Sequence, residues 1–348
     1  MSLLGTHILS VDQFDLGQLA DLFSVAERML PYARRERVTR VLEGAVCGNL
    51  FFEPSTRTRL SFGAAFNRLG GHVRETTGFA FSSMAKGESI YDTSRVISGY
   101  VDVLVIRHPE EGRVAEFAAA THVPVVNGGD GAGEHPTQAL LDHYTLCRER
   151  GLRPGGLGGM TVAVVGDLRY GRTVHSLTKL LALEHGLTFH CVAPAELQAP
   201  DPLVRRLREL GHRVELTDEV TEGVRDADVV YATRIQQERL PEGTTVHPTD
   251  QERFRIDAAL YEKYCRPGAL IMHPLPRDSR KGASELDTDL NRHPSLAIFR
   301  QTDNGIPIRM ALFATVLGVT DQVDDTARDA RWYRPDRVGV DDTRGLLV

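Results

Sequence analysis

The chain has 348 residues, of which 41% are hydrophobic and 25% are charged, and its formal net charge is −6 at pH 7. The length allows about two domains of ~150 residues, and the acidic balance argues against a general nucleic-acid binder, which would need a basic face. No apolar run approaches the ~20 residues of a membrane span, and the N-terminus lacks a secretory signal, so we expect a cytoplasmic protein that does not bind membranes.

Runs of β-branched residues alternate with helical periods along the chain, which predicts an α/β fold. Near-continuous apolar runs are typical of parallel strands that helices cover on both faces. Such runs predict strands at 101–107, 123–127, 160–167, 187–193, 229–233 and 269–273. Pro136 to Arg150 and Ile308 to Leu317 predict helices, and the glycine-rich segment Gly151 to Gly159 predicts a domain boundary.

We therefore expect two doubly wound parallel-sheet domains, residues 1–150 and 151–304, with the active site in the cleft between them. A helix at about 305–320 should pack back on the first domain. Residues 321–348 are polar and of mixed charge, which predicts an extended or partly docked tail.

The segment Phe51 to Phe62 carries the densest chemical signal of the chain. An apolar strand end leads into Ser55-Thr56-Arg57-Thr58-Arg59, after which a helical pattern begins. Unpaired backbone N–H groups and the helix dipole make a helix N-terminus an anion site, and arginine adds a bidentate fork for phosphate. The alternative interpretation is a serine N-cap followed by solvated arginines.

Further chemistry-bearing residues follow other predicted strands. They are Arg107, His135 with Gln138 one helical turn later, Arg172 and Arg234. Ligands of open α/β sheets bind outside the carboxyl ends of the strands. One arginine there has little meaning, but four of them, counting Arg57, predict a cleft for a multiply charged anion. The loop Ser82 to Ser89, with its single lysine, is a weak signal because most such loops are merely solvated.

Other kinds of site are disfavoured. Gly166 to Thr173 nearly matches a phosphate-binding P-loop, but Arg172 replaces its lysine, and no GxGxxG motif follows a strand. The 13 histidines and 4 cysteines show no metal-ligand spacing, so we expect free thiols and no metal. With no carboxylate pair and no nucleophile triad, and with no cofactor expected, the chemistry should rest on positioning and charge stabilisation.

Four segments together resemble the catalytic chains of aspartate carbamoyltransferases. They are Ser55 to Arg59, His135 to Gln138, Asp167 to Arg172 and His273 to Arg277. The resemblance extends from about residue 5 to about residue 320. Ornithine enzymes of the same fold carry a cysteine where this chain has Thr137, and the segments around Arg172 and Arg234 resemble the aspartate branch.

The resemblance implies transfer of the carbamoyl group of carbamoyl phosphate to the α-amine of L-aspartate, a step of pyrimidine synthesis. The residues that it implies for the phosphate are Ser55, Thr56, Arg57 and Thr58. Those for the carbonyl oxygen are Thr58, Arg107 and His135. Those for the carbamoyl NH₂ or the incoming amine are Gln138 and the backbone carbonyls of Leu275 and Pro276. Those for the aspartate carboxylates are Arg172, Arg234 and Gln236.

The resemblance also implies a homotrimer with shared active sites. Ser82 and Lys86 would enter the site from a neighbouring subunit, and Lys86 would also meet aspartate. Glu53 and Arg239 resemble residues that bridge the two domains on closure, and the alternative is an ordinary surface pair. No cofactor is implied, and the resemblance leaves open whether a regulatory chain or a larger assembly binds.

Two other functions stay open at this point. One is a carbamoyltransferase of the same fold with a different amine acceptor, against which Arg234 and Gln236 argue because they suit a side-chain carboxylate. The other is a catalytically silent paralogue that binds anions or serves as an assembly subunit. The intact set of Arg57, Lys86, Arg107 and His135 argues against it. The hypothesis of a nucleotide-binding protein depends only on the altered P-loop.

Overall fold

The computed structural model describes residues 3–78, 86–235, 252–278, 280 and 284–333. These residues form two compact units, one from residues 3–144 and 303–333 and the other from residues 145–302. Each unit has its own parallel sheet. The first unit is therefore discontinuous in sequence, because its last part comes from the C-terminal end of the chain.

The sheet of the first unit has four parallel strands in the spatial order β3-β2-β4-β5. Its strands are β2 (Val46–Phe51), β3 (His72–Thr77), β4 (Val103–His108) and β5 (Val125–Asp130). The chain turns back across the sheet between β2 and β4, which makes their carboxyl ends a topological switch point, where ligands of such sheets bind. Phe51 of β2 pairs with Arg107 of β4 at this edge.

The sheet of the second unit has five parallel strands in the order β10-β9-β6-β7-β8. They are β6 (Thr161–Val165), β7 (Thr188–Val192), β8 (Arg213–Thr217), β9 (Val229–Ala232) and β10 (Leu270–Met272). The order reverses between β6 and β9, so this sheet also has a switch point. The chain comes close to itself there, since a Cβ on Gly166 would lie 2.1 Å from the carbonyl oxygen of Thr233.

The described helices begin after N-cap residues of different kinds, only some of which cap the first turn with a polar side chain. They are α1 (Leu16–Ala33), α2 (Thr56–Arg68), α3 (Ile90–Ile97), α4 (Arg113–Ala119), α5 (Pro136–Arg150), α6 (Arg172–Leu181), α7 (Asp201–Glu209), α8 (Val220–Gly223), α9 (Ala258–Tyr264) and α10 (Ile298–Val316). Asp15, Ser89 and Asp257 each accept a backbone N–H bond in the first turn of α1, α3 and α9. Such caps stabilise a helix by about 1 kcal/mol each.

Helix α10 begins earlier than the sequence predicts, at Ile298 rather than Ile308. The prediction was wrong because Pro307 removes a backbone donor, which costs about 3 kcal/mol inside a helix. Packing outweighs that loss, since Ile308 and Phe313 are fully buried and each large side chain contributes ~1.5–3 kcal/mol. The ring of Phe313 lies 5.0 Å from that of Phe66 and 6.0 Å from that of Phe62, both on α2.

Residues 320–330, which we call the C-terminal clamp, dock onto the first unit. Its strand β11 (Arg328–Asp329) pairs antiparallel with β1 (Arg37–Val38). Asp324 accepts a hydrogen bond of 2.6 Å from the hydroxyl of Tyr32, near the end of α1. The described part of the polar tail is therefore held against its own chain.

The predicted α/β class with two parallel-sheet units is confirmed, and each of the six predicted strands is present with limits shifted by at most three residues. Helix α5 has the predicted limits. Within the described ranges no helix is both long and apolar enough to span a bilayer.

Candidate active site

The N-terminus of α2 lies where β2 ends, at the switch point of the first unit. Ser55 occupies the N-cap position but makes no side-chain cap bond, and the first turn contains no acidic residue. Arg57 is exposed, and among the described residues it has no hydrogen-bond or ion-pair partner. A helix N-terminus with unused N–H donors, an unused hydroxyl and an arginine is built to receive an anion.

The second arginine of this motif is used differently. The Arg59 guanidinium lies 3.8 Å from the carboxylate of Glu75 on β3. The Asn49 side-chain amide donates to that carboxylate at 2.8 Å and to the Arg59 carbonyl at 3.2 Å. Arg59 therefore fastens α2 to the sheet, while Arg57 stays available to a ligand.

Arg107 lies on β4 at the same edge of the sheet and is 9% exposed. Its Nη2 lies 2.7 Å from Glu53 Oε2, and its Nη1 donates to the carbonyl of Gly128 at 3.2 Å. These two contacts fix the guanidinium beside the segment that leads from β2 into α2. The structure thus gives Glu53 a partner within its own unit, while its predicted role in bridging the domains stays a prediction.

Helix α5 begins with the predicted pair of polar residues. His135 is 4% exposed and precedes Pro136, the first helical residue. The backbone N–H of Gln138 bonds the His135 carbonyl at 3.0 Å, so both residues lie in the first turn. The Gln138 side-chain amide donates at 2.9 Å to Asp142, which is fully buried and holds the amide in place.

In the second unit, α6 begins after β6 in a comparable way. Asp167 is buried, and its carboxylate accepts the backbone N–H groups of Arg169 at 3.2 Å and Tyr170 at 2.9 Å, which shapes the turn. Arg172 is the first residue of α6 and is 5% exposed. This helix also has neither a side-chain cap bond nor an acidic residue in its first turn.

Arg234 lines a pocket at the switch point of the second unit. The pocket opens to solvent and encloses only about 10 Å³, roughly the space that one water molecule needs. Its lining residues are Gly166, Thr233, Arg234, Ile235, Phe254, Asp278, Arg280 and Glu285. Arg280 pairs with Asp278, and this bond, with a smaller contribution from the Arg234 charge, lowers the pKa of Asp278. Arg234 therefore brings a positive charge to this edge of the second sheet.

A buried histidine shapes the turn after β10. The Nδ1 of His273 accepts the backbone N–H of Leu275 at 2.8 Å, so its Nε2 carries the proton and donates to Glu285 at 2.7 Å. Leu275 has φ +57° and precedes Pro276 through a cis peptide bond. From the described residues neither the Leu275 nor the Pro276 carbonyl accepts a hydrogen bond. The turn therefore leaves two carbonyl acceptors available, and their role in binding the carbamoyl NH₂ or the amine stays a prediction.

Three predicted site residues, Ser82, Gln236 and Arg239, lie outside the described residues. Lys86 is exposed, just before α3. The other predicted residues lie at or after the carboxyl ends of strands of their own unit, some beside the switch points and others after the edge strands β5 and β10.

Sequence reasoning missed Asp142, Glu285 and Arg309, and the supporting role of His273. Asp142 could have been found, because it lies one helical turn after Gln138. Arg309 also gave a signal, as a charge within the apolar stretch Ile308 to Leu317. Glu285 gave none, because it reaches His273 from an irregular segment without a periodic pattern.

The described residues contain no group of three or more His, Cys, Asp or Glu side chains that could hold a metal ion. Instead, the first unit gathers hydroxyls, backbone N–H groups and two arginines. Such donors can bind a phosphate and stabilise an oxyanion.

Two family models match the chain. The model described as "Aspartate/ornithine carbamoyltransferase, carbamoyl-P binding domain" matches residues 6–148, and "Aspartate/ornithine carbamoyltransferase, Asp/Orn binding domain" matches residues 158–316. The chain belongs to the aspartate/ornithine carbamoyltransferase family. The C-terminal clamp lies beyond both family models.

Relatives within this family are similar over almost their whole length. The aspartate carbamoyltransferase catalytic subunit of Saccharophagus degradans is 57% identical over 96% of this chain and 98% of the relative. That of Cellvibrio japonicus is 56% identical, with the same coverage of both chains. Aspartate transcarbamoylase from Trypanosoma cruzi, solved in complex with carbamoyl phosphate and aspartate, is 37% identical with a TM-score of 0.81, over 90% of this chain and 98% of that one. The predicted family and enzyme class are confirmed.

Proposed function

We propose that this chain transfers the carbamoyl group of carbamoyl phosphate to the α-amine of L-aspartate, which yields N-carbamoyl-L-aspartate and phosphate. The N-terminus of α2 carries this proposal, because its uncapped first turn and exposed Arg57 suit a phosphate dianion. The likeness to the Trypanosoma cruzi enzyme, solved with both substrates, supports aspartate as the acceptor.

The reaction forms one bond and breaks another at the carbonyl carbon. The amine nitrogen attacks this carbon, the carbonyl oxygen becomes an oxyanion, and the C–O bond to phosphate then breaks. Thr58, Arg107 and His135 donate to the oxyanion, and one such donor is typically worth about 3 kcal/mol. The nitrogen loses a proton in the process, and the departing phosphate accepts it.

Other groups of the protein orient the carbamoyl NH₂ of carbamoyl phosphate. Gln138 and the carbonyls of Leu275 and Pro276 bind this group or the incoming amine. The bond from Gln138 to the buried Asp142 presets the amide before the substrate arrives. A group that is held in advance loses little conformational entropy on binding.

The acceptor residues belong to the second unit. Arg172, Arg234 and Gln236 bind the two carboxylates of L-aspartate, and the lack of acidic residues in the first turn of α6 favours this charge. Arg234, just after the carboxyl end of β9, supplies a positive group that suits the side-chain carboxylate of such an amino acid.

The experiment that tests the proposal is the formation of carbamoyl amino acids from carbamoyl phosphate, with L-aspartate and L-ornithine run in parallel. We expect turnover with L-aspartate alone. Turnover with another amino acid instead would refute the acceptor, and binding of carbamoyl phosphate without turnover of any acceptor would point to a silent paralogue.

We further propose that the chain is a homotrimer, with Ser82 and Lys86 of each subunit completing a neighbour's site. Large apolar side chains are exposed on and near α2 and α3, which supports a protein–protein interface there. They are Leu60, Tyr91, Val96 and Tyr100. Arg57→Ala and Lys86→Ala proteins should each be inactive and regain some activity when mixed subunits assemble, and the lack of any rescue in verified mixed trimers would contradict shared sites.

The proposed product places the reaction in pyrimidine synthesis. We also propose a cytoplasmic location, which the four free cysteines support, because thiols persist in reducing compartments. Fluorescence microscopy of the tagged chain in its own cells would test the location.

A further inference from the structure

We propose that Arg309 is a positioning residue that holds the N-terminal halves of α2 and α5 in register, so that the phosphate and the carbonyl of carbamoyl phosphate meet their donors together. The inference rests on the proposed function, since it assigns Arg309 a part in the same site. Arg309 lies on α10, far along the chain from both helices.

The Arg309 guanidinium contacts both helices at once. Its central carbon lies 4.7 Å from the centre of the Phe62 ring on α2, within cation–π distance. Its Nη2 lies 3.5 Å from the hydroxyl of Thr137, the residue that precedes Gln138 on α5. Arg309 is 4% exposed, so one buried cation joins the helix that carries Arg57 to the helix that begins after His135.

The charge of this cation extends the contact toward Gln138. Burial lowers the pKa of Arg309 to about 10, against the opposing attraction of Asp142, so the guanidinium is still charged at neutral pH. Asp142 in turn accepts the Gln138 amide at 2.9 Å. The position of Arg309 therefore bears on Gln138 through Asp142 as well as through Thr137.

Gly305, one helical turn before Arg309 on α10, leaves room for the guanidinium. A Cβ on Gly305 would lie 2.5 Å from Arg309 Nη1, which instead donates to the Gly305 carbonyl at 3.3 Å. Removal of one charge from a buried pair destabilises the fold, because the partner charge is left uncompensated. Arg309→Met should therefore lower Tm, whereas Arg309→Lys keeps a charge near Asp142 and should change substrate binding more than folding.

The test compares Arg309→Met and Arg309→Lys with Arg300→Lys as a matched control on the same helix. Arg300 is 6% exposed, but it pairs at 2.8 Å with Glu149, in the second unit. The measurements are Tm, kcat, the KM of each substrate, and calorimetric affinities for carbamoyl phosphate and for inorganic phosphate. Inorganic phosphate needs the donors of α2 alone, whereas carbamoyl phosphate needs those of both helices.

We expect Arg309→Met to weaken carbamoyl phosphate binding roughly 10–100-fold and inorganic phosphate binding only about 2-fold, because small misplacements of donors are costly. Arg309→Lys should lose less, and the KM of aspartate at saturating carbamoyl phosphate should change little. Arg300→Lys should lower Tm and leave both affinities unchanged.

Equal losses for the two ligands, or unchanged affinities in folded Arg309→Lys protein, would overturn the proposal. If Arg309→Met does not fold, the comparison of Arg309→Lys with Arg300→Lys still tests the proposal. An inactive wild-type protein would refute the proposed function. The affinities for carbamoyl phosphate and inorganic phosphate would still test the positioning role of Arg309.

Discussion

Arg57 and Arg59 stand two positions apart in one motif and yet make different contacts. Each residue of an α-helix turns the side-chain direction by about 100°, so two steps lead to nearly the opposite face. Arg59 contacts Glu75 on β3, whereas Arg57 is exposed and has no such partner among the described residues. The same residue type thus serves stability at one position and, in our proposal, substrate at the other.

We expect Arg57→Ala to lower kcat/KM for carbamoyl phosphate about 100-fold or more, since the loss of one charged donor commonly has this effect. The Tm should not change, because Arg57 has no partner among the described residues. Arg59→Ala is the matched control, and it should lower Tm by leaving Glu75 without its cation while kcat/KM changes little. Steady-state kinetics and thermal melts of the two variants check this, and equal kinetic losses would argue against the division of roles.

The cysteines lead to a second prediction at this scale. Burial raises the pKa of the Cys147 and Cys191 thiols to about 12 and that of Cys265 to about 11. Since the thiolate is the reactive form, a thiol reagent at pH 8 should react slowly with the folded protein and rapidly with all four cysteines in denaturant. Colorimetric thiol titration measures both rates, and fast labelling of a native cysteine would contradict the burial.

At the scale of elements, the N-termini of α2 and α6 differ from those of six other helices. Helices α1, α3 and α9 have a side-chain cap bond, and α4, α7 and α8 have an acidic residue in the first turn. Helices α2 and α6 have neither. Their N-termini are therefore less stable alone and stand to gain most from a bound anion.

Arg234 follows β9 at the edge of the second sheet, and we expect Arg234→Ala to raise the KM of aspartate at least ~10-fold. The reason is the loss of a charge-assisted bond, worth about 1.5–3 kcal/mol, to a substrate carboxylate. The affinity for carbamoyl phosphate should not change. Arg253→Ala, which removes a surface pair with Glu219 at 3.1 Å, is the control and should leave both constants unchanged.

The stability of the docked C-terminal clamp should decrease in both acidic and alkaline solution. The hydrogen bond from Tyr32 and the charges of Arg37 and Arg28 lower the pKa of Asp324. Asp324 therefore contributes its full stabilisation of the clamp above its unfolded pKa near 4. This stabilisation is lost as pH falls through the lower folded pKa. Burial and the bond to Asp324 raise the pKa of Tyr32 to about 12, so this contribution is full below pH 10 and is lost as pH rises through 12. Clamp protection should therefore be flat between about pH 5 and pH 9.

Hydrogen exchange of residues 320–330 across this pH range measures the clamp. Asp324→Asn should reduce protection on the plateau, with Asp321→Asn as the control, because Asp321 only approaches Arg28 at 3.8 Å and is almost fully exposed. Equal exchange in the two variants would mean that the strand pairing of β1 with β11 holds the clamp without Asp324.

For the whole molecule, the sequence predicted the strands, which have a regular apolar pattern, and the charged residues that follow them. Continuous apolar runs such as Val103 to Ile106 predicted the strands, and Arg107 and Arg172 were found because they follow such runs. The sequence did not predict contacts between distant segments, such as Arg309 on Thr137 or Glu285 on His273, because these depend on packing rather than on local pattern. The start of α10 was missed for the same reason, since tertiary burial overrode Pro307.

The first unit takes its strands from the beginning of the chain and α10 from near the end, and this arrangement has a consequence during synthesis. A ribosome releases residues 3–144 well before residues 303–333 exist, while residues 145–302 emerge as one uninterrupted stretch. The second unit can therefore fold first, although it comes later in the sequence. Until Phe313 is synthesised, Phe62 and Phe66 lack their ring contacts, and the first unit of the nascent chain leaves this apolar surface uncovered.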